Sequence, residues 1–341
     1  MTFTLSENAR AVLLPAFDGV TLSSATQRFL DQGGVSILVG ESRDEYVSRR
    51  MSDERRRKET PEVFHRLTAE ARKRSGLLLT AIDQEMGGIC RLHDMVPQFP
   101  SHADLPSTSP DVIEALTQRI ATDAAAMGIN VFLSPVLDVL TGPNAWLKGR
   151  TWSADPEIVA TLSAAYIRGA QRGGVAGTGK HFPGFRSTTA DPAIDASAVS
   201  LTDAGAIEAG LAPFRAAIAA GVEMIMVGPA IVTALDDRKP ALRSIKIVQK
   251  LKQDLGFSGV VMADDLDSQA TMRGDSVAEV AIDALNAGCD FLLLADIGSQ
   301  LEDVTNAIIA AANAGHISVE TLEASANKVR ALAGKYAIQA A

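Results

Sequence analysis

The chain has 341 residues, of which 47% are apolar and 21% are charged, and its net charge is −9 at pH 7. Such a composition is typical of a globular protein with a substantial apolar core. The acidic balance, with a pI near 5.1, argues against phosphate-rich partners. We therefore expect no nucleic-acid partner and a small neutral or cationic ligand.

The sequence also limits the groups that the protein holds and where it works. Its two cysteines, Cys90 and Cys289, lie far apart without a CxxC spacing, and the histidines show no metal-ligand spacing. We expect no disulfide, no metal and no cofactor. The amino terminus lacks the regions of a signal peptide, and no apolar run reaches the roughly 20 residues that span a bilayer. A cytoplasmic protein without a membrane partner is expected, and the oligomeric state is left open.

Taken in chain order, eight short runs rich in Val, Ile and Leu are separated by longer segments with apolar residues at helical spacing. The predicted strands comprise residues 12–17, 35–39, 77–82, 131–137, 174–182, 224–227, 259–264 and 291–295. Continuously apolar strands that alternate with amphipathic helices predict a parallel sheet covered by helices. Eight such units favour an α/β fold with a single (β/α)8 barrel of the TIM type over a doubly wound sheet.

Three stretches bear on how the chain is organised. No linker or low-complexity tract divides it, so residues 1–341 are predicted to form one domain. The charged run at residues 44–62 holds both signs, which is typical of a solvated helix face. The segment GVAGTGK at residues 174–180 has the spacing of a phosphate-binding loop, but His181 follows where that loop needs Ser or Thr. Nucleotide binding is therefore not expected.

Polar residues end several of the predicted strands, and active sites of such barrels lie at the carboxyl ends of the strands. The candidates found in this way are Asp83, Asp138, Lys180 with His181, and Asp264 with Asp265. Most are carboxylates. Such a cluster suits the hydrolysis of a glycosidic bond, in which one ionised carboxylate attacks the anomeric carbon and a separate proton donor assists the leaving oxygen.

The run KHFPGFRSTTADPA at residues 180–193 resembles the hallmark of the NagZ-type β-N-acetylglucosaminidases of glycoside hydrolase family 3. Members of that family carry KHFPGHG followed by D-S-H. The likeness extends over nearly the whole chain and includes DGVTL, AIDQEMGGICRL, GINVFLSPVLDV, GRTWSADPEIV, ALRSIKIVQKLKQDLGFSGVVMADDL and AIDALNAGCDFLLL. It implies a retaining exo-glycosidase that releases terminal β-linked N-acetylglucosamine through a covalent glycosyl-aspartate intermediate.

The resemblance also implies roles for individual residues. The family's nucleophile falls on the first Asp of ADDL, Asp264, at the end of a strand that would hold it rigidly. The residues implied to bind the hydroxyls of the sugar are Asp83, Arg150, Lys180 and His181. We expect Asp138 to have a structural or supporting role, and Asp265 to cap the next helix or to support Asp264.

The sequence departs from the family in the segment that supplies the general acid and base. The D-S-H motif falls on Asp191, Pro192 and Ala193, so the orienting aspartate is present and the histidine is absent. Phe185 and Arg186 replace the last two residues of KHFPGHG. An alanine methyl group cannot transfer a proton, an assistance typically worth about 10²- to 10⁴-fold in rate.

Three explanations are open. Asp191 or Asp195 acts as the acid and base, or the substrate has a leaving group that needs no acid, or the protein binds a sugar without hydrolysing it. Under the last two, Asp191 is the remnant of the family's pair. A hydrolase with another sugar specificity, such as a β-glucosidase, is a further alternative.

Overall fold

The computed structural model describes residues 2–101, 103–295 and 300–338. Within these residues, eight parallel strands close into a barrel, which confirms the predicted (β/α)8 fold. The barrel strands are β1 (Leu13–Phe17), β2 (Ser36–Val39), β3 (Leu79–Ile82), β4 (Val131–Phe132), β5 (Ala176–Phe182), β7 (Met224–Val227), β10 (Val260–Ala263) and β11 (Phe291–Leu294). Their order around the barrel is β1-β11-β10-β7-β5-β4-β3-β2.

Three short strands form a second sheet from the loops that follow β5 and β7. They are β6 (Val199–Ser200), β8 (Ile231–Val232) and β9 (Asp236–Pro240), with β8 parallel to β6 and antiparallel to β9. This small sheet ties the loop after β5, which carries the D-S-H position, to the loop after β7.

Seven of the eight predicted barrel strands agree with the structure to within two residues at each end, and the fourth does not. Residues 131–137 were expected to be extended throughout, but β4 ends at Phe132. Pro135 lacks an N–H for a strand ladder, and the Ser134 hydroxyl donates instead to the carbonyl of Gln84 at 2.9 Å. Irregular backbone at the mouth of the barrel therefore begins earlier along this part of the chain than the sequence predicted.

The helices mostly begin at a side-chain cap, as their sequences favour. Ser276, for example, accepts the N–H of Glu279, whose carboxylate accepts the N–H of Ser276 in return. The α-helices are α1 (Leu5–Ala11), α2 (Ser24–Asp31), α3 (Arg43–Ser48), α4 (Asp53–Lys58), α5 (Pro61–Ser75), α6 (Pro110–Ala126), α7 (Pro156–Arg172), α8 (Ala204–Ala209), α9 (Ala212–Ala219), α10 (Ile245–Gln249), α11 (Gln269–Met272), α12 (Val277–Ala287), α13 (Leu301–Asn313) and α14 (Val319–Lys335).

The core lies inside the barrel and between the barrel and its helices. Every residue of β2, β3, β7, β10 and β11 is buried, as expected for strands covered on both faces. The two thiols belong to this interior: Cys289 is buried and Cys90 is half-buried, and burial raises the pKa of each to about 12. No helix among the described residues is long and apolar enough to cross a membrane.

The charged run at residues 44–62 is solvated only in part: helix α4 within it has no buried residue, but two glutamates of the run are buried. Glu45 is buried and is paired with Arg55, with a closest distance of 2.8 Å. Glu59 is buried against Arg91, whose Nη1 lies 2.6 Å from a Glu59 oxygen. A run of alternating charges predicts a solvated face when the opposite charges pair at the surface. Here both glutamates pair with arginines whose side chains are largely buried.

Candidate active site

Asp264 lies directly after β10 at the carboxyl end of the barrel. Its N–H donates to the carbonyl of Val227 on β7 at 3.1 Å, and the residue is only 7% exposed. It lines a cleft of about 460 Å³, counting the space open to solvent. The same cleft is lined by all four residues implied to bind the sugar, namely Asp83, Arg150, Lys180 and His181.

Two carboxylates and two cations form a buried network on one side of this cleft. The ammonium of Lys180 lies 2.6 Å from Asp83 and 2.7 Å from Glu85. Arg150 holds both oxygens of Glu85 through Nε at 3.0 Å and Nη2 at 2.7 Å. The network is therefore charge-balanced, which is the condition under which buried charges are tolerated.

The pKa values of Glu85 and Lys180 keep both of these groups charged. Burial by itself would raise the pKa of Glu85, but Arg150 and Lys180 hold that pKa well below its ordinary value. Burial would likewise lower the pKa of Lys180, but Asp83 and Glu85 raise it above its ordinary value.

The network leaves hydrogen-bonding groups for a ligand. An ammonium has three N–H donors, and two of those on Lys180 point to carboxylates. Among the described residues, Nη1 of Arg150 is buried without a hydrogen-bond partner. A buried donor without a partner is costly. A hydroxyl group bound in the cleft would accept a hydrogen bond from Nη1 and remove this cost.

His181 is held by Asp138, which is completely buried. One oxygen of Asp138 lies 2.7 Å from Nδ1 of His181 and 3.0 Å from its main-chain N, and the other accepts the N–H of Phe185 at 2.7 Å. A carboxylate can only accept, so Nδ1 donates and Nε2 is left for a ligand. The supporting role expected of Asp138 is confirmed.

Aromatic side chains complete this wall. The rings of Trp146 and His181 lie 4.5 Å apart, and Trp146 packs edge-on against Phe185 at 5.5 Å. Phe185 is fully buried, so the residue that replaces the family's second histidine has become part of the core. The indole N–H of Trp146 donates to the hydroxyl of Tyr46 at 3.0 Å, and Tyr46 also lines the cleft.

The loop with the altered motif is closed over the cleft. The N–H of Ala270 on α11 donates to the carbonyl of Pro192 at 3.0 Å. Arg273 donates to the carbonyl of Ala196 at 2.7 Å. Ala193, at the position of the family's histidine, lines the cleft.

Asp191 and Asp195 serve the loop itself. The Asp191 carboxylate accepts the N–H of Ala193 at 2.9 Å, and Asp191 is absent from the described residues that line the cleft. Asp195 accepts the N–H and the hydroxyl of Ser197, bonds that lower its pKa. A general acid needs the opposite shift, which argues against Asp195 in that role.

A second and larger cavity adjoins the cleft. It has about 2190 Å³, counting the space open to solvent, and is lined mainly by the ends of β1, β2 and β11 and by the chain from Asp265 to Val277. Six residues line both spaces: Tyr46, Asp83, Ala193, Asp265, Ser268 and Leu293.

Two carboxyl groups in this region have strongly raised pKa values. Burial, followed by the charge of Asp264, raises the pKa of Asp265 well above its ordinary value. Burial, followed by the charge of Asp83, raises the pKa of Glu41 to about 8. Asp265 does not cap the next helix, as one reading of the sequence expected, because the hydroxyl of Ser268 accepts the N–H of Thr271 at the start of α11. Asp265 lines both the cleft and the larger cavity.

The sequence missed four residues of the site. Glu85 lies two residues after Asp83 in the same motif run, and that proximity was the available signal. Tyr46 lies in the charged run, Trp146 lies in an irregular stretch, and Glu41 follows β2 by two residues. None of these three ends an apolar run, so the strand-end criterion could not select them. No cluster of potential metal ligands occurs among the described residues.

Known proteins are similar to this chain in both sequence and structure. The family model described as Glycosyl hydrolase family 3 N terminal domain matches residues 19–332. A protein of Nitrosomonas eutropha named Beta-hexosaminidase is 32% identical over 244 residues, which cover 69% of this chain and 70% of that protein.

Two solved structures are similar to the whole barrel. A family 3 β-N-acetylglucosaminidase from Paenibacillus sp. str. FPU-7 has a TM-score of 0.90 and 28% identity, and the match covers 100% of this chain but 64% of that one. A β-N-acetylhexosaminidase from Beutenbergia cavernae has a TM-score of 0.83 and 25% identity, and the match covers 98% of this chain and 99% of that one. The chain belongs to glycosyl hydrolase family 3.

Proposed function

We propose that the protein is a retaining exo-glycosidase that hydrolyses terminal β-linked N-acetylglucosamine through a covalent glycosyl intermediate on Asp264. The observation that carries this proposal is the cleft itself, which Asp264 lines together with Asp83, Arg150, Lys180 and His181. The names of the relatives, β-hexosaminidase and β-N-acetylglucosaminidase, support the choice of sugar. The exo mode, the single-domain organisation of residues 1–341 and a cytoplasmic location stay predictions from the sequence.

The residues suit the two halves of such a reaction. Lys180 and Arg150 present N–H donors and Asp83 presents carboxylate acceptors, so adjacent ring hydroxyls can be gripped from both sides. The rigid strand end holds the Asp264 carboxylate beneath the anomeric carbon, where positioning lowers the entropic cost of attack. A water molecule then attacks the glycosyl-aspartate ester and releases the sugar with retained configuration.

The direct test is replacement of Asp264 by Asn, assayed with aryl β-N-acetylglucosaminides. We expect turnover to fall by at least on the order of 10⁴-fold, as when other enzymes lose their nucleophile. A fluorosugar inactivator should label wild-type protein on the peptide that contains Asp264. Asp254→Asn, a change of the same kind on the surface, serves as the control and should be labelled normally. Near wild-type activity in Asp264→Asn would refute the assignment.

One observation favours a second candidate function, a protein that binds the sugar without hydrolysing it. Ala193 occupies the lining of the cleft where the family has its acid and base. This candidate predicts thermal stabilisation by N-acetylglucosamine with no product, even from dinitrophenyl glycosides. A panel that includes aryl β-glucosides separates the proposed specificity from that of a β-glucosidase.

A further inference from the structure

The residues at the junction of the cleft and the larger cavity are candidates for the group that donates a proton to the leaving oxygen. If the terminal sugar occupies the cleft beside Asp264, the rest of the substrate extends into the larger cavity. The glycosidic oxygen then lies near the residues that line both spaces. Three of these six shared residues are titratable, namely Tyr46, Asp83 and Asp265.

Two of the three titratable groups are poorly suited to donate the proton. Asp83 holds the ammonium of Lys180 at 2.6 Å, and the Tyr46 hydroxyl accepts the indole N–H of Trp146. Burial also raises the pKa of Tyr46, so its hydroxyl is a weak acid. Asp265 remains; it lines both spaces and directly follows Asp264 in sequence.

We infer that Asp265 is the general acid and base of the reaction, in place of the histidine that this chain lacks. The inference rests on the proposed function. Asp265 directly follows Asp264, and its main-chain N–H donates to the Asp264 carboxylate at 2.9 Å. Retaining glycosidases hold their two carboxyl groups about 5 to 5.5 Å apart. Asp264 and Asp265 line the same cleft.

The surroundings of Asp265 favour its protonated form. Its pKa is raised by burial first and then by the charges of Asp264, Asp267 and Asp83, whereas Lys180 lowers it. Two carboxyl groups that share a site cannot easily be ionised together, so one serves as nucleophile while the other keeps a proton. The other ionisable groups that line the two spaces are Asp18, Glu41, Arg43, Tyr46, Arg150 and His181.

The proton balance closes over one catalytic cycle. An oxygen of Asp264 forms a bond to the anomeric carbon while the bond from that carbon to the leaving oxygen breaks. The leaving oxygen takes the proton of Asp265 and departs as an alcohol. In the second half, a water oxygen bonds to the anomeric carbon, Asp264 departs as carboxylate, and Asp265 takes the proton of the water.

The test compares leaving groups in Asp265→Asn. For an aryl glycoside with a poor leaving group we expect kcat/KM to fall about 10²- to 10⁴-fold. For a dinitrophenyl glycoside, kcat/KM should change little, while kcat falls because the glycosyl-enzyme accumulates. Azide should then restore turnover and yield the β-glycosyl azide. Equal losses with both leaving groups would mean that Asp265 has a structural role and would overturn the inference.

Three other variants sharpen the assignment. Ala193→His in the Asp265→Asn background should recover activity on the poor leaving group, because its side chain enters the space between the cleft and the cavity. Glu41→Gln and Asp191→Ala should lack the dependence on leaving group. If either shows it and Asp265→Asn does not, the inference is wrong and that residue is the acid.

A readout without turnover keeps this test distinct from that of the proposed function. The infrared difference spectrum of wild type minus Asp265→Asn at pH 7 should contain the C=O stretching band of a protonated carboxylic acid. Its absence would overturn the inference even in an active enzyme. Its presence in a wild type that cleaves no glycoside would refute the proposed function while the protonated Asp265 stands.

Discussion

The two sides of the barrel mouth differ in how their charges are balanced. On the side of β3, β4 and β5, Asp83 and Glu85 are matched by Lys180 and Arg150 at distances of 2.6 to 3.0 Å. On the side of β10 and β2, the carboxyl groups of Asp264, Asp265 and Glu41 make no ion pair within the part of the chain that the structure describes.

The two sides therefore suit different tasks, one the binding of a substrate and the other the transfer of protons. The balanced and buried network keeps Glu85, Arg150 and Lys180 charged at ordinary pH values, so its hydrogen-bond donors stay constant. Burial raises the pKa of Asp265 well above its ordinary value and that of Glu41 to about 8, so the protonation of Glu41 changes near neutral pH. The first side suits recognition of hydroxyl groups, and the second suits acid and base catalysis.

The largest effect on stability that we predict comes from Glu85→Gln, which disrupts the charge-balanced network on the side of β3, β4 and β5. The change leaves Lys180 and Arg150 as buried cations without the carboxylate between them. Removal of one partner from a buried ion pair costs about 3–5 kcal/mol, and we expect the free energy of unfolding to fall by that amount in urea titrations. Glu54→Gln, which removes an exposed partner of Lys58, should leave stability unchanged. Equal effects of the two substitutions would contradict the role of the network.

A smaller effect is expected from Asp138→Asn, on the same side. The carboxylate accepts N–H groups with both oxygens, whereas an amide must turn its NH2 group toward at least one of these donors. An unsatisfied buried polar group costs about 1–3 kcal/mol, so urea unfolding should show a loss of that size. The affinity for the sugar should also fall because His181 loses its orientation. Asp123→Asn, at a surface pair with Arg119, is the matched control.

On the unbalanced side, Glu41→Gln should change how stability depends on pH. Glu41 has a pKa of about 8 in the folded protein against an ordinary value of 4.5, so the folded state binds its proton more tightly. Stability therefore falls as pH rises from about 4.5 to about 8, with a slope of at most about 1.4 kcal/mol per pH unit.

Glutamine imitates the protonated carboxyl group, so the variant should lose this part of the decline. Urea unfolding at pH 5, 7 and 9 measures it. The wild type and Glu41→Gln should be similar at pH 5 and should differ most at pH 9. Parallel curves across this range would show that Glu41 ionises normally. Glu208→Gln provides a carboxyl control whose pKa is lowered by Lys250.

Both sides of the barrel mouth were predictable in part from the sequence. Strands buried on both faces produce continuous apolar runs, so the eight strands and the polar residues at their ends could be read directly. Asp83, Lys180, His181 and Asp264 were found in this way, and the family motif added Arg150. Each depends on its own strand or motif and needs no knowledge of its neighbours.

What could not be predicted depends on how separate segments pack. Glu85 can be assigned a role only through its pairing with Arg150, which is 65 residues away. Glu45 was predicted to be solvated, but in the fold it is buried against Arg55. The raised pKa of Asp265 results from burial together with three other carboxyl groups. No local pattern encodes the space between the loop after β5 and α11, where the cleft meets the larger cavity.

The smallest effect that we predict comes from Asp191→Ala, which tests whether the family's orienting aspartate has kept any part of its task. Its carboxylate bonds to the N–H of Ala193 within the loop, a contact worth about 0.5–1.5 kcal/mol. We expect a modest fall in kcat/KM, by the same factor for dinitrophenyl glycosides as for poor leaving groups, because only loop closure is weakened. Asp195→Ala is the matched control in the same loop. A loss confined to poor leaving groups would make Asp191 the acid and would move the proton chemistry from the end of β10 to the loop.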